Sequence, residues 1–173
     1  PKVPLVTMGY CNQVLGGKDG ATVLRRLAEA GVSGFILADI TPAESAELEA
    51  EAAGHGIGLI YLVAPTTPKE RIPYVAGRSQ GFTYAVSLAG VTGARTSLPP
   101  GVKKFLRSVR EVSPVPVAVG FGVSTPAHAR QLAPVADGII TASALIDALG
   151  SEGRDIESMA ALVRSLREAT VRD

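Results

Sequence analysis

Apolar runs of strand length, each followed by an amphipathic helical stretch, recur from one end of the chain to the other, and this alternation limits the fold more severely than anything else in the sequence. Pro4 to Tyr10, Gly34 to Ala38, Gly58 to Val63, the apolar half of Gly81 to Arg95, Val115 to Val119 and Asp137 to Thr141 are the runs. Repetition of strand, helix, strand is the mark of βαβ units around a parallel sheet, and about six units can be counted. The intervening stretches carry helix punctuation. One helix is predicted from Asp19, as N-cap, to Ala30, with Gly31 as its stop. Thr41-Pro42-Ala43-Glu44 has the form of a capping box opening a second helix, on which Glu44, Glu47, Glu49 and Glu51 should face solvent. Thr67-Pro68-Lys69-Glu70 repeats the device, and Thr125-Pro126 repeats its first half before a helix running to Ala133. Further helices are predicted over Pro100 to Val112, Ala142 to Leu149 and Asp155 to Ala169, the last after a loop at Gly150 to Arg154.

The make-up suits one well-cored globular domain over residues 1–173: 46% of residues are hydrophobic and 19% charged, with no low-complexity segment or linker. A formal net charge of +1, scattered basic residues and 5% aromatics offer neither a phosphate-backbone footprint nor a stacking platform, which argues against nucleic acid as a partner. No run approaches the ~18 apolar residues of a membrane span, so a membrane is not expected either. The start, Pro1-Lys2-Val3-Pro4, does not read as a signal peptide, and its lack of an initiator methionine is what a piece of a longer protein would show. The lone Cys11 excludes an internal disulfide and fits a reducing cytoplasm. His55, at a helix-to-strand turn, and His128, in a helix's first turn, have no ligand or nucleophile partner at useful spacing; both are read as solvated, and no metal is expected.

Gly81-Phe82-Thr83-Tyr84-Ala85-Val86-Ser87-Leu88-Ala89-Gly90-Val91-Thr92-Gly93-Ala94-Arg95 changes character halfway, from a buried strand to a glycine-containing loop, and parallel α/β folds keep their chemistry at such strand ends. This stretch resembles the sixth strand and following loop of the tryptophan synthase alpha subunit. Met8-Gly9-Tyr10-Cys11-Asn12, Ala38-Asp39, Gly120-Phe121-Gly122 and Thr141-Ala142-Ser143-Ala144 match the same family in the same order. The resemblance covers almost the whole chain, but only from the family's third strand onward. A complete TIM (β/α)8 barrel takes ~250 residues, so the fold class it implies here is α/β, an incomplete TIM barrel of about six parallel βα units. Its absent part would be the first two units, leaving the strands around Leu5 to Met8 and Ile139 with open apolar edges of a kind that invites pairing or aggregation.

Gly93, Gly122 and Ser143 are small residues that follow the last three predicted strands, and small residues let backbone N–H groups approach an oxyanion. The resemblance makes them phosphate ligands; the bland reading is tight turns. Ala142 stands where the family has glycine and is not counted among them. Tyr84 shares a strand face with Phe82 at the strand-to-loop change, and is either a core tyrosine or, as the resemblance implies, a catalytic hydroxyl near the bond being broken. Asp39 is a carboxylate at the end of a buried strand, costly to hold charged unless paired. The bland reading is a helix-entry or loop-tethering role; in the family, the aspartate there helps organise the site and its coupling to the partner. By the resemblance Thr92 would sit in the loop that closes over substrate and bond a catalytic carboxylate; by itself it reads as a turn threonine. Met8, Ile36, Phe121 and Ile140 match the family's indole pocket, although as bare residues they read as core. Tyr10 and Asn12 match its contact with the beta subunit, with Gln13 where a proline is common.

The resemblance implies lysis of indole-3-glycerol phosphate to indole and glyceraldehyde 3-phosphate in tryptophan biosynthesis, a retro-aldol reaction that calls for proton transfers and no cofactor. A glutamate and an aspartate on the two missing segments would do most of that proton work, and neither motif is present. Two other readings stay open. One is a different phosphate-binding barrel, such as a sugar-phosphate epimerase or indole-glycerol-phosphate synthase. The other is a non-catalytic, phosphate-ligand-binding regulatory subunit docked on a beta subunit.

Overall fold

The computed structural model describes residues 3–14, 16, 20–87, 100–120 and 122–171. By its contacts the chain divides into two units. One holds Pro1–Val63, Pro68–Tyr84 and Val112–Val115; the other holds Ala64–Thr67, Ala85–Glu111 and Pro116–Asp173.

The first unit is built on a three-stranded parallel sheet of order β1-β2-β3, with β1 at Leu5–Gly9, β2 at Val32–Leu37 and β3 at Gly58–Ile60. Its register sets Met8, Ile36 and Ile60 side by side in one row and Thr7, Phe35 and Leu59 in the next. Since strand side chains alternate between faces, the two rows point to opposite sides of the sheet. The short helix α1 (Cys11–Val14) follows β1, and α2 (Gly20–Glu29) leads to β2. The predicted cap Asp19 lies outside the described residues. The predicted stop is in place: Gly31 has φ of 84°, and its N–H donates to Ala28 O at 2.9 Å.

Three predicted boundaries move. The Thr41 capping pair forms, with Glu44 Oε2 accepting from Thr41 N at 3.2 Å and from Thr41 Oγ1 at 2.6 Å, yet it closes a turn and not a helix. Helix α3 starts at Ala46 (Ala46–Gly54), because Ser45 turns its hydroxyl inward, donating to Thr41 O and lying 2.5 Å from the Tyr61 hydroxyl. The predicted strand Gly58 to Val63 is interrupted at Tyr61, whose N–H donates to Ser79 Oγ at 3.1 Å and so leaves the ladder; Leu62–Val63 forms a separate strand, β4. After Pro68 the chain makes a 3-10 turn at Lys69–Arg71 before α4 (Ile72–Arg78), while Thr67 Oγ1 is taken by Ala64 N. Strand β5 (Thr83–Val86) begins in this unit, where Tyr84 N donates to Tyr61 O at 3.0 Å.

The second unit continues from Ala85. Its strands are the rest of β5, then β6 (Val117–Gly120) and β7 (Gly138–Ile139), in the order β5-β6-β7, with β6 and β7 parallel. β6 is buried throughout, as its unbroken apolar sequence requires. Helix α5 (Val102–Val112) buries Val102, Leu106 and Val109, spaced four and three apart on one face. Thr125 caps α6 (Pro126–Leu132) as predicted, accepting from His128 N at 3.2 Å. α7 (Ser143–Ala148) and α8 (Ile156–Glu168) follow, and Leu162, Leu166 and Ala169 from the end of the chain pack with Ala129 and Ile139.

Candidate functional site

In the first unit the expected residues gather at the carboxyl ends of β1 and β2. Met8 and Ile36 are paired in the β1–β2 register and so share one side of the sheet. Ile36 is buried, whereas Met8 on the edge strand is 48% exposed. Asp39 lies in the turn after β2, and its Oδ1 accepts the Cys11 N–H at 2.7 Å. That bond satisfies one of the amides at the start of α1, and it ties the end of β2 to the segment carrying Tyr10 and Asn12. Both of those residues are exposed. The partner that a carboxylate at this strand end was expected to need is thus a backbone amide.

Tyr84 lies deeper than the sequence suggested. It is the second of the four residues of β5 and not at the strand-to-loop change, and it is 4% exposed. Burial pushes its phenol above the usual tyrosine range, so it is a neutral hydroxyl at physiological pH. Phe82 precedes the strand and is half-buried.

In the second unit a tight cluster forms after β6 and β7. Gly122 has φ of 78°, a left-handed conformation that only glycine adopts freely, and it is exposed. Val123 then turns inward, and its carbonyl accepts from Thr141 Oγ1 at 2.7 Å, which joins the turn after β6 to the segment leading from β7 into α7. Ser143 is the first residue of α7, exposed, and the Ala142 before it provides no side-chain cap. Ile140 is half-buried, and its N–H donates to Val119 O. Upstream, Ser87 fixes the end of β6 by giving both its N–H (3.0 Å) and its hydroxyl (2.9 Å) to Gly120 O. The turn of the left-handed Gly122 and the start of α7, which has no side-chain cap, are thus joined by one hydrogen bond. Thr92, Gly93 and Phe121 lie outside the described residues.

The two histidines differ from expectation. His55 is half-buried, with Nε2 3.2 Å from Glu51 Oε1 one helical turn earlier. His128 is not solvated but 2% exposed, because its ring folds back over the start of α6 and Nδ1 accepts from Ser124 N at 3.5 Å. The spacing Thr125-x-x-His128 is that of a capping box with histidine in the glutamate position, a signal present in the sequence. Glu49 also departs from the solvent-facing expectation: it accepts from the Tyr61 hydroxyl at 2.5 Å and is ion-paired with Arg78. No local spacing marks that contact. Among the described residues no group of three His, Cys, Asp or Glu side chains could hold a metal ion, and no helix is long and apolar enough to cross a membrane.

Comparison with known proteins shows the family and the fold. The family model described as tryptophan synthase alpha chain matches residues 1–171. The tryptophan synthase alpha chain of Dehalococcoides mccartyi is 40% identical over 168 residues, covering 96% of this chain and 65% of that one. The one from a Roseiflexus species is 44% identical over 169 residues, covering 96% and 64%. The chain therefore spans just under two thirds of the length of these relatives. Among solved structures, tryptophan synthase of Mycobacterium tuberculosis matches with a TM-score of 0.85 at 38% identity, over 98% of this chain and 63% of that one. The tryptophan synthase α2β2 complex of Pyrococcus furiosus matches at 0.83 and 33%, over 96% and 66%. The fold class is accordingly the expected one, α/β with parallel sheets of the incomplete TIM-barrel type.

Proposed function

This chain belongs to the tryptophan synthase alpha chain family, and from that premise we propose that its protein is the cytoplasmic lyase subunit that cleaves indole-3-glycerol phosphate to indole and glyceraldehyde 3-phosphate in tryptophan biosynthesis, working in a heterotetramer with a beta subunit. Residues 1–173 would be a single partial-barrel domain of it. The observation that carries the reading is the Thr141 Oγ1 to Val123 O bond, which ties the Gly122 turn to the Ser143 helix start, the two described members of the expected phosphate grip. Gly93 would complete that grip. Met8, Ile36, Phe121 and Ile140 would line the indole, and Thr92 would close over it. Tyr84, neutral and buried, supplies a hydroxyl in place of a charged acid. Asp39 organises: through Cys11 N it holds the Tyr10 and Asn12 segment on which the beta subunit would dock.

The proton-transferring acid and base are not found among these groups. Glu49 is committed to Tyr61 and Arg78, and Asp39 to a backbone amide. The 173-residue chain should therefore hold the phosphate end of the substrate without turning it over. Calorimetric titration with glycerol 3-phosphate tests the first half. Gly122→Val, which forces a β-branched residue into the left-handed region, should abolish binding, and Ser143→Ala should weaken it by about tenfold, the weight of one hydrogen bond to a charged group. A retro-aldol assay tests the second half: turnover by this chain at the rate of a full-length alpha subunit would overturn it.

A further inference from the structure

The turn from Gly122 to α6 is held by more than the Thr141 bond. Ser124 N donates to His128 Nδ1, and His128 N donates to Thr125 Oγ1, so that side chain and backbone of one histidine close the turn reciprocally. With Nδ1 as acceptor, Nε2 is the ring nitrogen left to act as donor. That second nitrogen is buried and has no hydrogen-bond partner among the described residues. An orphaned buried donor is a cost, and an apolar side chain at the same place would avoid it. Beyond filling space, the ring therefore makes one polar contact among the described residues, to Ser124 N at 3.5 Å.

We infer that His128 is a positioning residue for the anion-binding turn: its Nδ1 holds the Ser124 N–H, as Thr141 Oγ1 holds the Val123 carbonyl, and together they fix the backbone that presents Gly122. This rests on the phosphate reading of Gly122, deepens it, and assigns the histidine no contact with substrate. The arrangement differs from an ordinary capping box in one respect: the third-position side chain reaches past the cap residue to the residue before it, and so braces the turn as well as the helix.

Two variants separate positioning from packing. His128→Asn places an acceptor oxygen two bonds beyond Cβ, as Nδ1 is, whereas His128→Leu fills space without an acceptor. Inorganic phosphate is titrated into the 173-residue chain with the Gly122 amide resonance as readout, and hydrogen exchange is followed at the Ser124 amide. Wild type and H128N should protect Ser124 and bind phosphate within about twofold of each other; H128L should lose that protection and bind about five- to tenfold more weakly, the effect of one neutral hydrogen bond. A packing role predicts the reverse order, with leucine tolerated better than asparagine in a buried site. Phosphate affinity indifferent to the variants, or a wild-type Ser124 amide exchanging like exposed backbone, would overturn the positioning role and leave the anion site standing. Ser124 protection in the expected order with no phosphate response in any variant would overturn the anion reading instead. If H128L does not fold, H128N decides: loss of Ser124 protection in that folded variant overturns the inference.

Discussion

Tyr61 shows how much one side chain can organise. It is 2% exposed, its N–H goes to Ser79 Oγ, its carbonyl accepts from Tyr84 N, and its hydroxyl lies between Ser45 and Glu49. It therefore interrupts the strand Gly58 to Val63, delays the start of α3 and holds the strand that carries Tyr84. Tyr61→Phe should lower stability by about 1–2 kcal/mol, since a buried hydrogen bond is lost while Glu49 keeps Arg78. Urea denaturation measures it. Desolvation, followed by the hydrogen bond to Glu49, pushes the Tyr61 phenol well above its ordinary value of 10.0. The folded state thus keeps a proton that the unfolded chain releases, and the associated stability is complete below pH 10.0 and is lost as pH rises toward the folded value. Tyr61→Phe should make the fall in urea midpoint between pH 9 and 11.5 shallower. An equal fall in both proteins would show that Tyr61 does not release its proton on unfolding.

At the scale of elements, the helix starts divide into those set locally and those set from a distance. Thr125 caps α6 as the sequence predicts, and Asp155, predicted only as the first residue of its helix, caps α8; each needs only a backbone amide three residues on. Thr125→Ala should cost about 1 kcal/mol and speed exchange of the His128 amide. Asp155 accepts from Ser158 N and Ser158 Oγ, and the backbone bond above all holds its carboxyl below the ordinary 3.8. The cap contributes above pH 3.8 and is lost as pH falls through the depressed folded value, so Asp155→Ala should flatten part of the acid unfolding limb. Acid limbs of equal slope would remove the cap from the account. Thr41 and Glu44 form their predicted local pair as well, yet the helix waits for Ser45, because a contact to Tyr61 sixteen residues later fixes Ser45 instead.

For the whole chain, the edges of its sheets matter most. β1 is the outer strand of its sheet, with Leu5 55%, Val6 41% and Met8 48% exposed, and a cleft of about 450 Å³ borders Gly138 and Ile139 of β7, the outer strand of the other sheet. An apolar strand paired on one side only among the described residues is a surface that another chain can extend. The 173-residue chain should therefore associate with rising concentration, and Val6→Lys should suppress that association in light scattering without changing the urea midpoint by more than about 0.5 kcal/mol equivalent. A wild-type chain that scatters as a monomer at high concentration would refute this.

The sequence by itself determined the alternation of strands and helices, the Gly31 stop, the Thr125 cap, a turn at Gly122 and the family. Each of these depends on residue type and on neighbours a few positions away, which is what hydrophobic period, capping and φ preference record. Tertiary structure alone decided that Asp39 pairs with Cys11 across 28 residues, Tyr61 with Glu49 across 12, and Thr141 with Val123 across 18. Those partners share no spacing rule. They meet only after β1 and β2, α3 and the strand after it, and the turns after β6 and β7 have packed together, and burial then makes each polar group take whichever partner is within reach.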